Sequence, residues 1–363
     1  MKRCGWRGVA IVAAMLGSGA LAPGAAAQQV GLPLELGGML RTGLRIEPGS
    51  TGEADGFDIF DARASVAGEV GIVFDYFFQT EVDTDDEVVR LLDAKATLPI
   101  MSELVVSIGL FKAPFGLEAL QSKGDLTFLE RAQASEAIAP GRQVGVSVDG
   151  ATFDGRLTWG AGLFNGNGRT LENDGNDFML SGRVQYNSIG TIAFYEDFVI
   201  QAGASIGYSK DTAAGLDEGL VTGDPASVPE LTAGFAGERR LLGGDVKATY
   251  REWSLTGEIL RGDFDIDPGA AGGPDGGGEF ETDAWGGYVE LGYRAYGAIE
   301  GVLRFDGFDP AIGQSRDFLV AGLNVYPGHY AKFGAQYAFA LHDSAAAPTL
   351  AGSQFILLAQ LAF

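Results

Sequence analysis

The sequence predicts an all-β fold, a transmembrane antiparallel β-barrel of about 16 strands with long extracellular loops and short periplasmic turns. Three observations support this prediction: an export signal at the start, segments of alternating apolar and polar side chains, and connectors that alternate between long and short. Glycine, with 56 of 363 residues, is about twice as frequent as usual, which favours strands and tight turns over helices.

Residues 1–27 have the layout of a secretory signal peptide. Basic residues begin at Lys2, an apolar stretch covers 9–22, and three alanines precede Gln28. The apolar stretch is shorter than the roughly 20 residues that a transmembrane helix needs. We therefore expect export and removal of the signal peptide, and one barrel domain over residues 28–363.

The composition excludes several other classes of protein. With 46 % hydrophobic residues the chain is too apolar to stay disordered, and a single cysteine, Cys4, excludes a disulfide scaffold. A net charge of −23 argues against nucleic-acid binding, because the phosphate backbone attracts lysine and arginine. No apolar run of 18 or more residues follows the signal peptide, so the sequence predicts no transmembrane helix.

Alternation with a period of two recurs along the rest of the chain. In 143–149 valine stands at every even position, and glutamine, glycine, serine or aspartate stands at every odd position. Such a pattern predicts strands with one face toward lipid and the other toward a wet lumen. There are sixteen predicted strands, and they lie near 33–46, 58–70, 72–82, 89–98, 103–112, 142–150, 156–164, 178–187, 198–208, 239–251, 252–262, 283–294, 297–306, 316–326, 331–341 and 353–363.

The connectors between these strands sort by length. The odd-numbered connectors are mostly long and polar: 47–57, 113–141, 165–177, 209–238, 263–282, 307–315 and 342–352. Most even-numbered ones are tight: 99–102, 251–252, 295–296 and 327–330. Long loops at one end and short turns at the other are typical of outer-membrane barrels, whereas a soluble sandwich has no reason to sort its loops in this way.

The last strand and the aromatic residues fit the same interpretation. Apolar residues alternate from Phe355 to the final Phe363, a pattern that resembles the signal read by the barrel-assembly machinery, which is therefore an expected partner along with outer-membrane lipid. Aromatic residues near predicted strand ends suit girdles at the membrane interfaces. They are Trp159, Tyr186, Tyr208, Tyr250, Trp253, Trp285, Tyr293, Tyr326 and Tyr330.

Five stretches, in this order and spacing, resemble the phosphate-selective porin O and P family. They read DAK at 93–95, IGLFKAPFGLE at 108–118, TFLER at 127–131, PGRQVGV at 140–146 and GLFNG at 162–166. The resemblance implies a sixteen-stranded barrel in the outer membrane of a Gram-negative type of envelope, usually a homotrimer, with the third extracellular loop folded inward. It further implies a porin for passive diffusion of small hydrophilic solutes or ions, among them phosphate or other anions.

The residues themselves single out the same third loop. Segment 113–141 is long for a connector without function, and it carries an apolar minority suited to packing on the lumen wall. We expect it to narrow the pore, where its charges are poorly screened; a surface loop or a lid over the mouth is the alternative. The candidate constriction residues are Lys112, Glu118, Lys123, Asp125, Glu130 and Arg131.

The alternation along each strand, called strand parity here, also predicts which charged side chains face the lumen. The candidate lumen-lining residues are Arg63, Glu81, Asp93, Lys95, Arg142, Arg183, Lys247, Arg294 and Arg304. Parity places seven basic residues there against eleven acidic ones, which forms no basic corridor and leaves phosphate selectivity open. The basic set is Arg63, Lys95, Arg183, Lys247, Arg294, Arg304 and Lys332. The acidic set is Asp61, Glu69, Glu81, Asp83, Asp93, Asp149, Asp245, Glu258, Glu290, Glu300 and Asp306. Expected ion pairs are Glu300 with Arg304 and Asp93 with Lys95.

Other functions have weaker support. The triplet beginning at His342 has the residue types of a serine hydrolase, but neighbours in sequence rarely form that geometry, and the other histidine, His329, lies in a separate turn. Acidic stretches 83–87 and 173–177 carry oxygen ligands suited to calcium, although solvated loops explain them better. We therefore predict a non-enzymatic channel without cofactor or metal; the alternatives are a plugged, structural or binding barrel and an outer-membrane hydrolase.

Overall fold

Sixteen antiparallel strands form one closed barrel in the part of the chain that the computed structural model describes. Each strand pairs with its neighbours in sequence, and β1 closes the ring on β16. The predicted fold class is therefore confirmed. The described residues are 34–47, 55–71, 73–83, 88–169, 172–173, 175–188, 197–214, 220, 235–267, 280–341 and 353–363. The predicted signal peptide, residues 84–87 and 174 of the two acidic stretches, and His342 lie outside this set.

The strands follow the predicted order. They are β1 Leu34–Ile46, β2 Gly56–Val70, β3 Phe74–Asp83, β4 Val88–Met101, β5 Leu104–Lys112, β6 Arg142–Thr152, β7 Leu157–Phe164, β8 Met179–Asn187, β9 Phe198–Ala214, β10 Phe235–Tyr250, β11 Trp253–Asp267, β12 Phe280–Ala295, β13 Ile299–Asp309, β14 Arg316–Val325, β15 Ala331–Ala340 and β16 Gln354–Ala362. Between β5 and β6 lie a 3₁₀ turn, Lys123–Asp125, and the short helix α1, Gln133–Ala137. In these described ranges no helix is long and apolar enough to cross a membrane.

Strands β9 to β12 extend further toward the long loops than the alternation predicted. The outer-face residues of these extensions are charged rather than apolar, so the hydrophobic pattern ends before the backbone hydrogen bonds do. Arg240 of β10 pairs with Asp265 of β11 at 3.0 Å, and Arg261 pairs with Asp263 at 2.8 Å. These charges mark the level at which the outer surface stops being apolar.

The two faces of the wall differ as the alternation requires. In β12, Trp285, Val289 and Leu291 are exposed on the outer face, while Tyr288 and Glu290 between them are buried on the inner face. Several of the predicted girdle aromatics are exposed as well: Tyr186, Tyr208, Trp253, Trp285, Tyr293 and Tyr330. Because the outer surface is apolar and the inner surface polar, the barrel suits a lipid surround.

The predicted position of Tyr326 at the lipid interface is wrong. Its hydroxyl donates a 2.6 Å hydrogen bond to Glu300, and the guanidinium of Arg294 stacks on its ring at 4.3 Å. Burial raises the pKa of Tyr326. Two inward-facing charges therefore draw this turn residue under the barrel instead of leaving it at the membrane surface.

The seam between β1 and β16 closes the barrel. Phe363 donates a 3.0 Å backbone hydrogen bond to Gly38 and accepts one of 2.9 Å in return. Gly43 faces inward at this seam, and a Cβ atom there would collide with the carbonyl oxygen of Leu357. Phe60 packs against Leu358 inside, because the register of β1 and β2 shifts after Arg41.

Candidate functional site: the lumen and its inner segment

Residues 113–141, called the inner segment below, bond to side chains from many strands around the closed ring. The two ends of the inner segment are joined by a 3.0 Å backbone hydrogen bond between Ala113 and Gly141. On one side Ser181 of β8 donates to the carbonyl of Pro114 at 3.1 Å; on the other Arg41 of β1 donates to the carbonyl of Lys123 at 3.1 Å. A connector that meets both β8 and β1 of a closed sixteen-stranded ring lies against its inner wall.

Arg304 of β13 is the central anchor of the inner segment. Its guanidinium lies 2.6 Å from the carboxylate of Glu118 in the segment and 2.7 Å from that of Glu290 on β12. The rings of Phe128 and Tyr288 lie 4.8 and 4.6 Å from it. Only 3 % of Arg304 is exposed, so each of these charges depends on its partners for the solvation that water would otherwise supply.

Glu258 of β11 forms a second anchor. Its carboxylate accepts hydrogen bonds from the backbone of Leu117 at 2.5 Å and of Glu118 at 3.2 Å, and from the hydroxyl of Ser135 at 3.0 Å. The carboxylate of Glu118 in turn accepts the backbone N–H of Ala132 at 2.6 Å. Both carboxylates are therefore occupied in holding the inner segment and do not face a passing solute.

Lys332 of β15 holds the deepest part of the inner segment. Its ammonium donates to the carbonyls of Leu126 and Thr127, both at 2.7 Å, and Asn324 donates to Thr127 at 2.9 Å. These bonds satisfy backbone carbonyls that have no strand partner. A cavity of about 420 Å³ lies below, toward the short turns, and Asp125 and His329 are among its lining residues.

Apolar packing supplements these polar anchors. Phe115 of the inner segment is 1 % exposed and packs with Leu241, Leu260 and Phe264 of β10 and β11. Phe128 packs with Val302 and Val320, and Leu129 packs with Ile356 and Leu358. Burial of one such large side chain contributes about 1.5–3 kcal/mol.

Most of the charges singled out by the sequence occur in ion pairs. The pairs are Arg63 with Glu81 at 2.7 Å, Lys123 with Asp61 at 3.0 Å, Glu130 with Arg45 at 3.0 Å, Arg131 with Glu136 at 3.1 Å, Arg142 with Asp93 at 2.8 Å, Arg183 with Asp245 at 2.6 Å and Arg294 with Glu300 at 3.4 Å. These contacts neutralise most of the acidic excess expected from strand parity.

The two ion pairs predicted along single strands are wrong. Glu300 pairs with Arg294, its direct cross-strand partner, and not with Arg304. Asp93 pairs with Arg142 and not with Lys95. Glu300 and Arg304, four apart on one strand, are separated by about 13 Å, at roughly 3.3 Å per residue, whereas opposite residues on neighbouring strands, such as Glu300 and Arg294, lie about 5 Å apart.

Four inward-facing lysines contact no carboxylate within ion-pair distance in the described part of the chain: Lys95, Lys112, Lys247 and Lys332. Lys95 lies 5.9 Å over the ring of Phe111, and Lys112 donates a 2.5 Å hydrogen bond to the carbonyl of Gln121. The ion-paired Arg131 and Arg142 also lie near Lys112. Basic side chains are therefore grouped in this part of the lumen.

Sequence reasoning missed Arg41, which is 2 % exposed and lies 3.2 Å from Asp61. It also donates hydrogen bonds to the backbone of Lys123 and Leu129 in the inner segment. The alternation along β1 could have predicted its inward position, because Arg41 shares the inward face of β1 with Met39. A long connector also had to fold back onto β1, and nothing local in the sequence shows that.

Open space remains beside the inner segment. A cavity of about 470 Å³ lies between Pro114 and Leu120 of the segment and the wall of β5 to β8, where Asp149, Arg183 and Gln185 line it. No group of three or more histidine, cysteine or acidic side chains suited to a metal occurs among the described residues. A closed barrel with an aqueous interior and a connector along its inner wall defines the class of outer-membrane diffusion channels.

The chain belongs to the phosphate-selective porin O and P family, whose model matches residues 42–361. It is therefore an outer-membrane porin, a channel for passive diffusion of ions. A comparison with curated proteins found no match.

Solved structures of porins share the fold. The anion-selective porin from Comamonas acidovorans is 14 % identical, with coverage of 92 % of this chain and 100 % of that chain and a TM-score of 0.62. OmpT of Vibrio cholerae in its trimer form is 11 % identical, with coverage of 92 % and 99 % and a TM-score of 0.57. Salmonella typhi OmpF in complex with daunomycin is 14 % identical, with coverage of 92 % and 98 % and a TM-score of 0.59.

Proposed function

We propose that this porin favours small anions, among them phosphate, and that the inner segment is the constriction of its pore. The observation that supports anion preference is the contrast between engaged acids and unpaired lysines. A net charge of −23 would by itself suggest a cation channel. Selectivity, however, depends on the charges that face the solute, not on the total.

Nine of the eleven acidic residues assigned to the lumen are engaged by protein groups. Six form ion pairs: Asp61, Glu81, Asp93, Asp245, Glu290 and Glu300. Glu258 and Asp306 accept backbone N–H groups of the inner segment, and Asp149 accepts the hydroxyl of Ser147. Carboxylates held in this way attract passing cations weakly.

The lysines make the opposite contribution. Lys95 and Lys112 have no carboxylate partner within ion-pair distance in the described residues, and the ion-paired Arg131 and Arg142 lie close to Lys112. Beside the inner segment, water is scarce and charges act with little screening. Anions are therefore concentrated at this side of the lumen, and cations are repelled from it.

The double variant Lys95→Gln/Lys112→Gln tests the proposal. We expect its anion-to-cation permeability ratio to fall toward one, because two basic side chains leave the lumen while its shape is kept. The measurement is the reversal potential of single channels in a planar bilayer under a KCl gradient. Lys210→Gln, on the exposed outer face of β9, is the matched control. A cation-selective wild-type channel, or an unchanged ratio in the double variant, contradicts the proposal.

On this proposal, the channel has no catalytic residues. His329 lines the cavity near the short turns, whereas His342, on which the hydrolase alternative depended, lies outside the described residues. The same bilayer recordings separate the proposal from a plugged or structural barrel, because a plugged barrel shows no open steps. The 470 Å³ space beside Leu120 supports an open passage.

We also propose that the protein assembles as a homotrimer, as the trimer form of Vibrio cholerae OmpT suggests. We expect light scattering of the detergent-solubilised protein to give the mass of three chains after the detergent contribution is subtracted. Each barrel keeps its own pore, so trimers should open in three equal conductance steps. The mass of a single chain over the working concentration range would exclude this assembly without affecting the selectivity proposal.

A further inference from the structure

A separate cavity lies on the opposite side of the inner segment, between that segment and strands β13 to β16 and β1. Its volume is about 250 Å³, and its lining includes Gln133 of the segment and Arg45, Asp306, Arg316 and Gln354 of the wall. Arg316 and Gln354 begin their strands at the end that carries the long loops. The cavity therefore lies near the extracellular mouth.

Four side chains of this cavity carry buried polar atoms without a hydrogen-bond partner. Two are donors, the Nε atoms of Arg45 and Arg316, and two are acceptors, Oδ1 of Asp306 and Oε1 of Gln133. Asp306 is only 5 % exposed, and its other oxygen accepts the backbone N–H of Gln133 at 3.1 Å. A buried polar atom left without a partner costs about 1–3 kcal/mol.

This concentration of unpartnered atoms is specific to the cavity. Seven such side-chain atoms occur in the described residues, and two of them, Nε of Arg41 and Oδ2 of Asp61, lie 3.2 Å from each other in an ion pair. Of the five that remain, four belong to residues that line this one cavity. These four atoms have almost no accessible surface, but all four side chains line the open space, so a bound group supplies the missing partners once these side chains turn toward it.

We propose that this cavity binds a small zwitterionic solute, with a carboxylate toward Arg316 and Arg45 and an ammonium toward Asp306 and Gln133. A simple anion would satisfy the donors but would bring a negative charge to the unpaired oxygen of Asp306. A simple cation would face the guanidinium of Arg316. A molecule that carries both charges, such as a free amino acid, satisfies donors and acceptors together.

The size and remaining charges agree with such a ligand. The volume of about 250 Å³ is several times the roughly 30 Å³ of one water, and it lies below the roughly 300 Å³ at which pockets for drug-sized ligands begin. The lining also contains Arg131, Glu47 and Glu130, so charges of both signs surround the space. Phe128 and Phe318 provide an apolar side against which a short side chain can pack.

The test is calorimetric titration of the whole detergent-solubilised protein with alanine, and separately with acetate, ethylammonium and inorganic phosphate. We expect alanine alone to bind measurably, with at least a tenfold loss of affinity in Arg316→Gln. Arg316 is chosen because its guanidinium packs on Phe308 of the wall at 6.0 Å, whereas Asp306 also holds the inner segment. Arg261→Gln, on the exposed outer face of β11, is the matched control and should bind alanine as the wild type does.

Three results overturn the inference. Binding of phosphate or acetate as strong as that of alanine would make the cavity an anion site. Absence of heat with all four probes would mean that water alone fills it. Equal alanine affinity in Arg316→Gln and Arg261→Gln would place the binding elsewhere. None of these results depends on the ion selectivity measured under a KCl gradient, so the two proposals fail independently.

Discussion

Replacing Arg304 with methionine is expected to release the inner segment from the wall and to raise the single-channel conductance. The substitution removes the only positive charge described within ion-pair distance of Glu118, and it leaves Glu118 and Glu290 buried without a cation. Breaking a buried ion pair from one side costs about 3–5 kcal/mol. Because the strands β12, β13 and β14 keep their backbone pairing, the cost falls on the attachment of the segment and not on the barrel.

Conductance and folding are measured together in this experiment. We expect larger and noisier open steps in planar bilayers, with the folded barrel still migrating differently from the boiled protein on a denaturing gel. Arg261→Met, an arginine more than half exposed on the outer face, is the control and should leave the conductance unchanged. The further variant Glu118→Gln in the Arg304→Met background should reduce the current noise in part, since it removes one buried charge that has lost its partner. Wild-type conductance in Arg304→Met would show that the anchor is dispensable.

Replacing Gly43 with valine is expected to prevent closure of the barrel. Gly43 lies opposite Leu358 in the seam of β1 and β16, and a Cβ atom there would meet the carbonyl of Leu357 and the ring of Phe60. The seam joins the first and last strands, so no other pairing can replace it. An open barrel exposes unpaired backbone groups to lipid, and each one costs several kcal/mol.

Gly301 provides a matched control for this substitution. It also lies within a strand, β13, but it faces outward, and a Cβ atom at that position meets nothing within 4 Å. We expect Gly301→Val to fold as the wild type does and Gly43→Val to yield little heat-modifiable, protease-resistant barrel. Equal folded yields of the two variants would show that the seam tolerates a side chain. The proposed role of Phe363 in assembly stays a separate prediction.

The inner segment links the stability of this porin to its transport. Its carboxylates, Glu118 foremost, are the groups that would favour cations if they faced the lumen, and they are the groups that hold the segment in place. On our proposal, a strongly acidic chain in this way surrounds a positively charged passage. The arrangement also separates two spaces, one beside Leu120 and one beside Arg316, which serve different solutes on our proposals.

The sequence alone determined the barrel, its number of strands and the placement of long connectors at one end and short ones at the other. These properties are local: a strand shows its two faces through alternate residues, and a turn shows its length directly. The predicted ends shifted most in strands β9 to β12, where the outer face becomes charged, as at Arg240 and Arg261, because the hydrophobic pattern and the hydrogen-bonded ladder end at different residues there.

Only the tertiary structure decided which charges meet. Glu118 and Arg304 are 186 residues apart in the chain, and no local pattern relates them. Pairing across strands, between Arg294 and Glu300, replaced the pair expected between Glu300 and Arg304, because opposite residues lie closer than residues four apart on one strand. The path of the inner segment thus determined which acids and which lysines it engages.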